Sequence, residues 1–416
     1  MWVIRRAVLC LAFVLSIAAP GGAADPSPVP SPSASPQPSA TPTPASPIEF
    51  ARGRLDALLR GDHADPAWFS ASFLAGIPVS KIDEIIAGLK SSLGPYRSVT
   101  FETTKFVAHF AKGTDDILAH FDQDFKIDYI LFRPPSTASL DDRLRILQGF
   151  SGTVSYVIIE GRSDRAALNA SEPLAVGSAF KLAVLNAIRD QVTLGKRHWS
   201  DVIPLDPRWK SLPSGAFQNW PDRTPITLAS YAAQMISISD NTAADALVRL
   251  AGPQALRPYA GTNVPFPTTR EIFTLKSQQN ATLRAAYLAA DTVTGRAAVL
   301  ARADALPRPA IGDLDQRPEL AVEWHYSVRT LCALLERASD LPYVTINPGV
   351  AVRADFRRVA YKGGSDFGII NLTTLVTTKR GTTECFSATL NNAQQAIDEQ
   401  AFEAAYGLVL DSLAAD

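Results

Sequence analysis

Cysteine and histidine are scarce, with 3 Cys and 5 His in 416 residues, and none of them fall at metal-site spacing. That argues against a metalloenzyme, whose ligands recur at short intervals. Charge bias is missing too: 40 Lys and Arg stand against 41 Asp and Glu, for a net charge of -1. A nucleic-acid binder would show a basic excess or stripe, so that class is disfavoured. No apolar run is long enough to span a bilayer. The run Ala7–Ala18 is interrupted at Ser16 and stops at Pro20, whereas a hydrocarbon core of about 30 Å takes about 20 apolar residues.

What stands at the front is an address followed by a spacer. Arg5 and Arg6 precede the apolar run, Pro20-Gly21-Gly22 ends it, and Ala23-Ala24 offers small residues for cleavage. Residues 1–24 therefore read as a signal peptide. The mature chain is expected to be exported, periplasmic or extracellular, without stable membrane insertion. Of the cysteines, Cys332 and Cys385 remain after cleavage. They can pair in an oxidising compartment, but the sequence does not set their distance, and two ordinary buried thiols is the favoured reading. Residues 25–47 are mostly Pro, Ser, Thr and Ala. Such a segment cannot bury enough apolar surface to offset its chain entropy, so it reads as a linker.

The remaining length suits two folded units. In residues 48–138, Phe50, Leu55, Leu58 and Leu59 fall at helical spacing, as do Ile82, Ile85, Ile86 and Leu89. The period then shortens to two in Val99–Thr103, Ile117–Phe121 and Phe125–Tyr129. Helices followed by an antiparallel meander give a small α+β, helix-on-sheet unit. No convergent acid–base set is visible in it, and an accessory role is expected.

Residues 139–416 read as a larger α/β unit. Thr153–Glu160 is strand-like, and Ser178–Leu194 is helical and apolar on most faces. Near the end, Val359–Lys362, Ile369–Thr377 and Cys385–Leu390 read as strands, followed by a helix over Ala393–Leu413. A strand at the front and three at the back predict one sheet built from both ends of the unit.

Three short motifs carry the chemistry. In Ser178-Ala-Phe-Lys181, positions i and i+3 share a helical face, so the amine can reach the hydroxyl. A serine needs such a base to become nucleophilic. The Ser178 backbone N–H, near a helix start, is a ready oxyanion donor. In Ser239-Asp240-Asn241 a hydroxyl, a carboxylate and an amide stand in a row between two apolar helical stretches. Asp240 or Asn241 can equally cap a helix starting near Thr242. In Lys362-Gly363-Gly364-Ser365 two glycines allow close approach to a strand edge, and the lysine adds a cation.

Ser-x-x-Lys, Ser-Asp-Asn and Lys-Thr-Gly in this order form the signature of class A β-lactamases and penicillin-binding proteins, and the region from Ser151 onward resembles that family. The resemblance implies a β-lactamase-like domain, with an antiparallel sheet and flanking helices beside an all-helical subdomain. The small unit ahead of it resembles a cystatin-like or NTF2-like domain, an arrangement similar to the β-lactamase-like proteins of clavulanic acid clusters. By resemblance Ser178 is acylated and Lys181 takes its proton, while Ser239 passes a proton to the leaving group with help from Lys362. Asn241 would hold substrate and Lys181, Asp240 would order its loop, and the Ser365 N–H would be the second oxyanion donor beside Gly364.

Two departures stand out. Gly363 replaces the family's Thr or Ser, removing a hydroxyl for a substrate carboxylate, which Ser365 can replace. The family's deacylating Glu lies in a Glu-x-x-x-Asn pattern. Here Glu271 is near the right place, but Leu275 occupies the position of the Asn, and Arg270 and Glu271 can equally form structural ion pairs. Slow deacylation or a preference for labile esters would follow if Glu271 does not activate water. The expected function is hydrolysis of β-lactams or related amides and esters through an acyl-Ser178 intermediate. The alternatives are a D-Ala-D-Ala carboxypeptidase and a cell-wall-peptide or lactam binder that acylates and turns over slowly. The expected partner is a small-molecule substrate, with no cofactor and no metal.

Overall fold

The computed structural model describes residues 46–102, 105–133 and 139–415. The expected signal peptide and nearly all of the expected linker lie outside these residues. Pro47, the linker's last residue, already opens the first helix.

Helix α1 (Pro47–Arg60) buries Leu55, Leu58 and Leu59, and α2 (Val79–Leu93) buries Ile82 and Ile86. Both meet a sheet of four antiparallel strands paired in chain order: β1 (Tyr96–Glu102), β2 (Lys105–Phe110), β3 (Thr114–Phe121) and β4 (Ile127–Arg133). Val99, Phe106, Phe110, Ile117 and Ile127 join the helix side chains in one apolar cluster. The expected helix-on-sheet layer is thus observed, with two differences. Strand β2 has three consecutive buried residues, Phe106 to Ala108, so no alternation marks it in the sequence. Phe125 lies in a turn at φ 57°, and the strand begins at Ile127.

The second sheet has five strands. Helix α3 (Leu140–Gln148) opens with a capping box between Ser139 and Asp142. Strands β5 (Thr153–Glu160) and β6 (Ser163–Leu168) follow, and β7 (Phe356–Asp366), β8 (Ile369–Thr378) and β9 (Thr383–Asn391) return near the chain end. Their order is β7-β8-β9-β5-β6, all antiparallel, so both ends of the region build one sheet, as expected. Neighbouring strand residues alternate between its two faces. Val157 joins the cluster on one face, and Tyr156 and Ile158 join the cluster on the other.

The first of these clusters is shared with the helical middle of the chain. Helix α4 (Lys181–Thr193) runs through it with Leu182, Val184, Leu185 and Ile188 fully buried. A 3-10 turn over Gly177–Phe180 precedes it, so the expected single helix from Ser178 is a tight turn followed by an α-helix. Around it lie α5 (Leu228–Ser237), α6 (Asn241–Leu256), α7 (Thr269–Lys276) and α8 (Val328–Arg337). The opposite face is covered by α9 (Glu399–Ala415), which starts six residues later than the expected Ala393.

Cys332 of α8 and Cys385 of β9 form a disulfide with a Cα–Cα distance of 5.9 Å, which overturns the reading of two free thiols. The helix lies across the strand, an adjacency that cysteine spacing does not reveal. A cross-link over 53 residues stabilises by up to about 4 kcal/mol in the chain-entropy account. Among the described residues, no helix is long and apolar enough to cross a membrane.

Candidate active site

Ser178 sits in the 3-10 turn, and Lys181, fully buried, is the first residue of α4. The Lys181 Nζ lies 3.1 Å from the Ser178 Oγ. It also reaches the Ser239 carbonyl at 2.6 Å, the Ser239 Oγ at 3.0 Å and the Asn241 Oδ1 at 2.6 Å. Two of these partners, the carbonyl and the amide oxygen, can only accept. A neutral amine would spend its two hydrogens there and turn its lone pair toward the Ser178 hydroxyl.

The loop that supplies Ser239 and Asn241 is held from below. Asp240, fully buried, accepts the N–H groups of Ala216 at 2.6 Å, Phe217 at 2.9 Å and Ala243 at 2.8 Å, which caps α6. All of its contacts order the loop. Ser239 adopts φ 58°, a sparsely populated region for a residue with a Cβ. Its carbonyl is further fixed by the Ser214 hydroxyl at 2.7 Å. The Asn241 side-chain amide gives one hydrogen to the Leu212 carbonyl at 3.1 Å.

Strand β7 closes the other side. The Lys362 Nζ lies 3.1 Å from the Ser239 Oγ and also donates to the Gly363 carbonyl. The Ser239 Oγ thus accepts from Lys362 and also lies within reach of Lys181, which leaves its own O–H to donate outward. Burial pushes the Lys362 pKa down to about 7. Gly364 admits no side chain, because a Cβ there would collide with the Ser178 N, the Ala179 N and the Val176 carbonyl. A Cβ at Gly177, which has φ 49°, would lie 3.0 Å from the Ser365 N. The backbone nitrogens of Ser178 and Ser365 therefore lie close together across this contact.

The structure thus brings Ser178, Lys181, Ser239, Asn241, Lys362, Gly364 and Ser365 together. Glu271 is engaged elsewhere. It accepts the Thr268 N–H at 2.7 Å and the Arg249 guanidinium at 3.0 Å, and Arg249 also binds Asp304 at 2.8 Å. None of its contacts is with Ser178, Lys181 or Asn241. Burial raises its carboxyl above the usual range. Thr268 and Glu271 form the capping box of α7, and Thr-x-x-Glu is legible in the sequence as such a box. An ion pair was foreseen for Glu271, and its partner is Arg249.

Sequence reasoning missed several supporting residues. Asp245 accepts the N–H groups of Thr269 at 2.6 Å and Arg270 at 2.9 Å, docking the start of α7 beside the Asn241 turn. Burial pushes its pKa up to about 7. The Thr269 hydroxyl donates to the Ser211 Oγ at 2.7 Å. Trp324 stacks on Phe180 at 3.7 Å, and its carbonyl accepts the Val176 N–H just before the nucleophile turn. No local spacing marks these contacts.

Residues 139–304 match the model of a family described as the Beta-lactamase enzyme family. That span includes Ser178, Lys181, the Ser239–Asn241 loop and Glu271, and it ends before β7. The match supports a serine hydrolase of the β-lactamase fold. A comparison with curated proteins finds no match. Among solved structures, a β-lactamase from Sphaerobacter thermophilus is similar at 21% identity and a TM-score of 0.46, over 66% of this chain and 94% of that one. A β-lactamase from Chitinophaga pinensis is similar at 18% identity and a TM-score of 0.46, over 66% and 98% of the two chains. A protein named PBP-A is similar at 14% identity and a TM-score of 0.45, over 68% and 98%.

Proposed function

We propose that this chain is an exported active-site-serine hydrolase that opens β-lactams or related amides and esters through an acyl-Ser178 intermediate. The contact of the Lys181 amine with the Ser178 hydroxyl at 3.1 Å carries this reading. The Ser178 Oγ attacks the carbonyl carbon while its proton passes to the Lys181 Nζ, and the oxyanion rests on the N–H groups of Ser178 and Ser365. The bond to the leaving group then breaks. Its nitrogen or oxygen takes a proton from the Ser239 hydroxyl, which Lys181 reprotonates, and Lys362 steadies the charge on Ser239. Asn241 orients Lys181 and gives its remaining amide hydrogen to the substrate. Water completes the cycle by adding to the acyl carbonyl and releasing Ser178.

That last step has the least support, because the Glu271 carboxylate is held by Thr268 and Arg249. This favours a slow second half of the cycle, as in a penicillin-binding protein that stays acylated. Time-resolved intact-mass measurement with a penicillin and a chromogenic cephalosporin tests both halves. The wild type should gain the mass of one substrate and lose it slowly, and Ser178→Ala should gain none. An adduct on Ser178→Ala, or unchanged cephalosporin turnover, would refute the assignment.

A further inference from the structure

The two faces of β7 have different chemistry. Lys362 and Gly364 turn toward Ser239 and the nucleophile turn. Tyr361, Gly363 and Ser365 alternate with them and share the opposite face. Because β7 is an edge strand, a substrate lying along its free side meets both sets.

On that second face the missing side chain at 363 is replaced from two residues away. A Cβ at Gly363 would fall on the Tyr361 hydroxyl. Gly349, at φ 61°, makes room for the Tyr361 ring, since a Cβ there would run into it. The phenol oxygen therefore occupies the volume that a threonine side chain would fill. Tyr361 is only partly buried, and its hydroxyl has no hydrogen-bond partner among the described residues.

The surroundings of this hydroxyl are acidic. Glu399, at the start of α9, lies near the Ser365 side chain, and Glu403 follows one turn later. Asp366 lies next in the strand, with its charge met by Lys276 at 2.8 Å. Burial, together with the charges of Glu403 and Glu399, keeps the Tyr361 phenol protonated and hence a donor. The cross-strand neighbours on this face, Thr374, Leu372 and Ile370, carry no charge.

We infer that the Tyr361 hydroxyl is the substrate-binding donor in place of a side chain at 363. With Glu399 and Glu403 behind it, it selects acyl donors whose group beside the scissile bond is a neutral ester or amide carbonyl rather than a free carboxylate. This inference rests on the acyl-Ser178 reading. A carboxylate in that position would meet two like charges, whereas a neutral carbonyl accepts the phenol hydrogen without that repulsion.

The test compares acylation of the full chain by a penicillin and by its methyl ester, each normalised to its hydroxide-catalysed hydrolysis. The wild type should acylate about tenfold faster with the ester, and Glu399→Gln with Glu403→Gln should narrow the gap about tenfold. Glu399 is solvent-exposed, so Glu399→Gln alone serves if the double variant unfolds. Tyr361→Phe keeps the ring in place and should slow ester acylation about fivefold. Gly363→Thr should restore that rate in a Tyr361→Ala background, where the ring no longer blocks position 363. Equal rates for acid and ester, or an ester rate unmoved by Tyr361→Phe, would overturn the inference and leave the nucleophile assignment standing. Absence of any adduct with either compound would instead remove the acyl-Ser178 reading, and the inference with it.

Discussion

Lys362 and Lys276 are both almost completely buried, yet the protein treats them in opposite ways. Lys276 is bound to two carboxylates, Glu323 and Asp366. Burial works against its charge, but those neighbours outweigh it and hold its pKa above the ordinary value. Lys362 has a hydroxyl and a carbonyl as partners, and with burial unopposed its pKa falls to about 7. Lys181 likewise reaches oxygens of hydroxyl, carbonyl and amide groups. An ammonium that meets carboxylates serves as a fixed strut, whereas an amine among neutral dipoles stays available to exchange protons.

The largest test of this contrast is Lys181→Ala. It should lower the rate of Ser178 acylation about 10⁴-fold in a stopped-flow or mass time course. A variant that acylates within tenfold of wild type would show that the amine is not the base. Lys276→Met should act on stability instead. It strands the buried Glu323 and the partly buried Asp366 and should cost about 3–5 kcal/mol, read as a lower denaturation midpoint. Adding Glu323→Gln should recover part of that loss. An unchanged midpoint for Lys276→Met would erase the distinction between strut and reactant.

A pH profile gives the next effect. Below about 7 Lys362 is an ammonium donating to Ser239, and above that value the charge is lost. Acylation should therefore fall about tenfold per pH unit once the pH is well above 7, and Lys362→Arg, which keeps the charge, should remove that limb. A profile without the inflection would mean that the charge on Lys362 is not used. The smallest effect is reserved for Glu271→Gln. Because this carboxylate is spent on Thr268 and Arg249, deacylation should change by less than about threefold. A hundredfold slowing would restore Glu271 as the base that activates water.

The local parts of this site were legible in the sequence. Ser178 and Lys181 are one turn apart, so their meeting needs only the turn itself, and the order of the motifs followed from it. Four strands of the five-stranded sheet were readable because they alternate or run apolar between turn residues, whereas the edge strand β6, with no buried residue, carries no such mark. What escaped depends on distance along the chain. Lys276 reaches Glu323 and Asp366 across 47 and 90 positions, and Cys332 reaches Cys385 across 53. No periodicity encodes such pairs. Gly363 looked like a lost hydroxyl, because nothing in a linear reading says that the ring two positions earlier folds back over it. The capping contact of Glu271 is written in Thr-x-x-Glu, a local pattern that coincides with the region where the family places its deacylating Glu.

One dimension of this cleft is fixed by the smallest possible spacer. At position 364 only a hydrogen atom separates the strand from the turn that carries the nucleophile. The gap between the two donors cannot be tuned by substitution there, since the next larger residue would wedge the walls apart. Adaptation to a new substrate is left to positions 361, 363 and 365 on the strand's other face, which can change while the distance that sets the reaction stays constant.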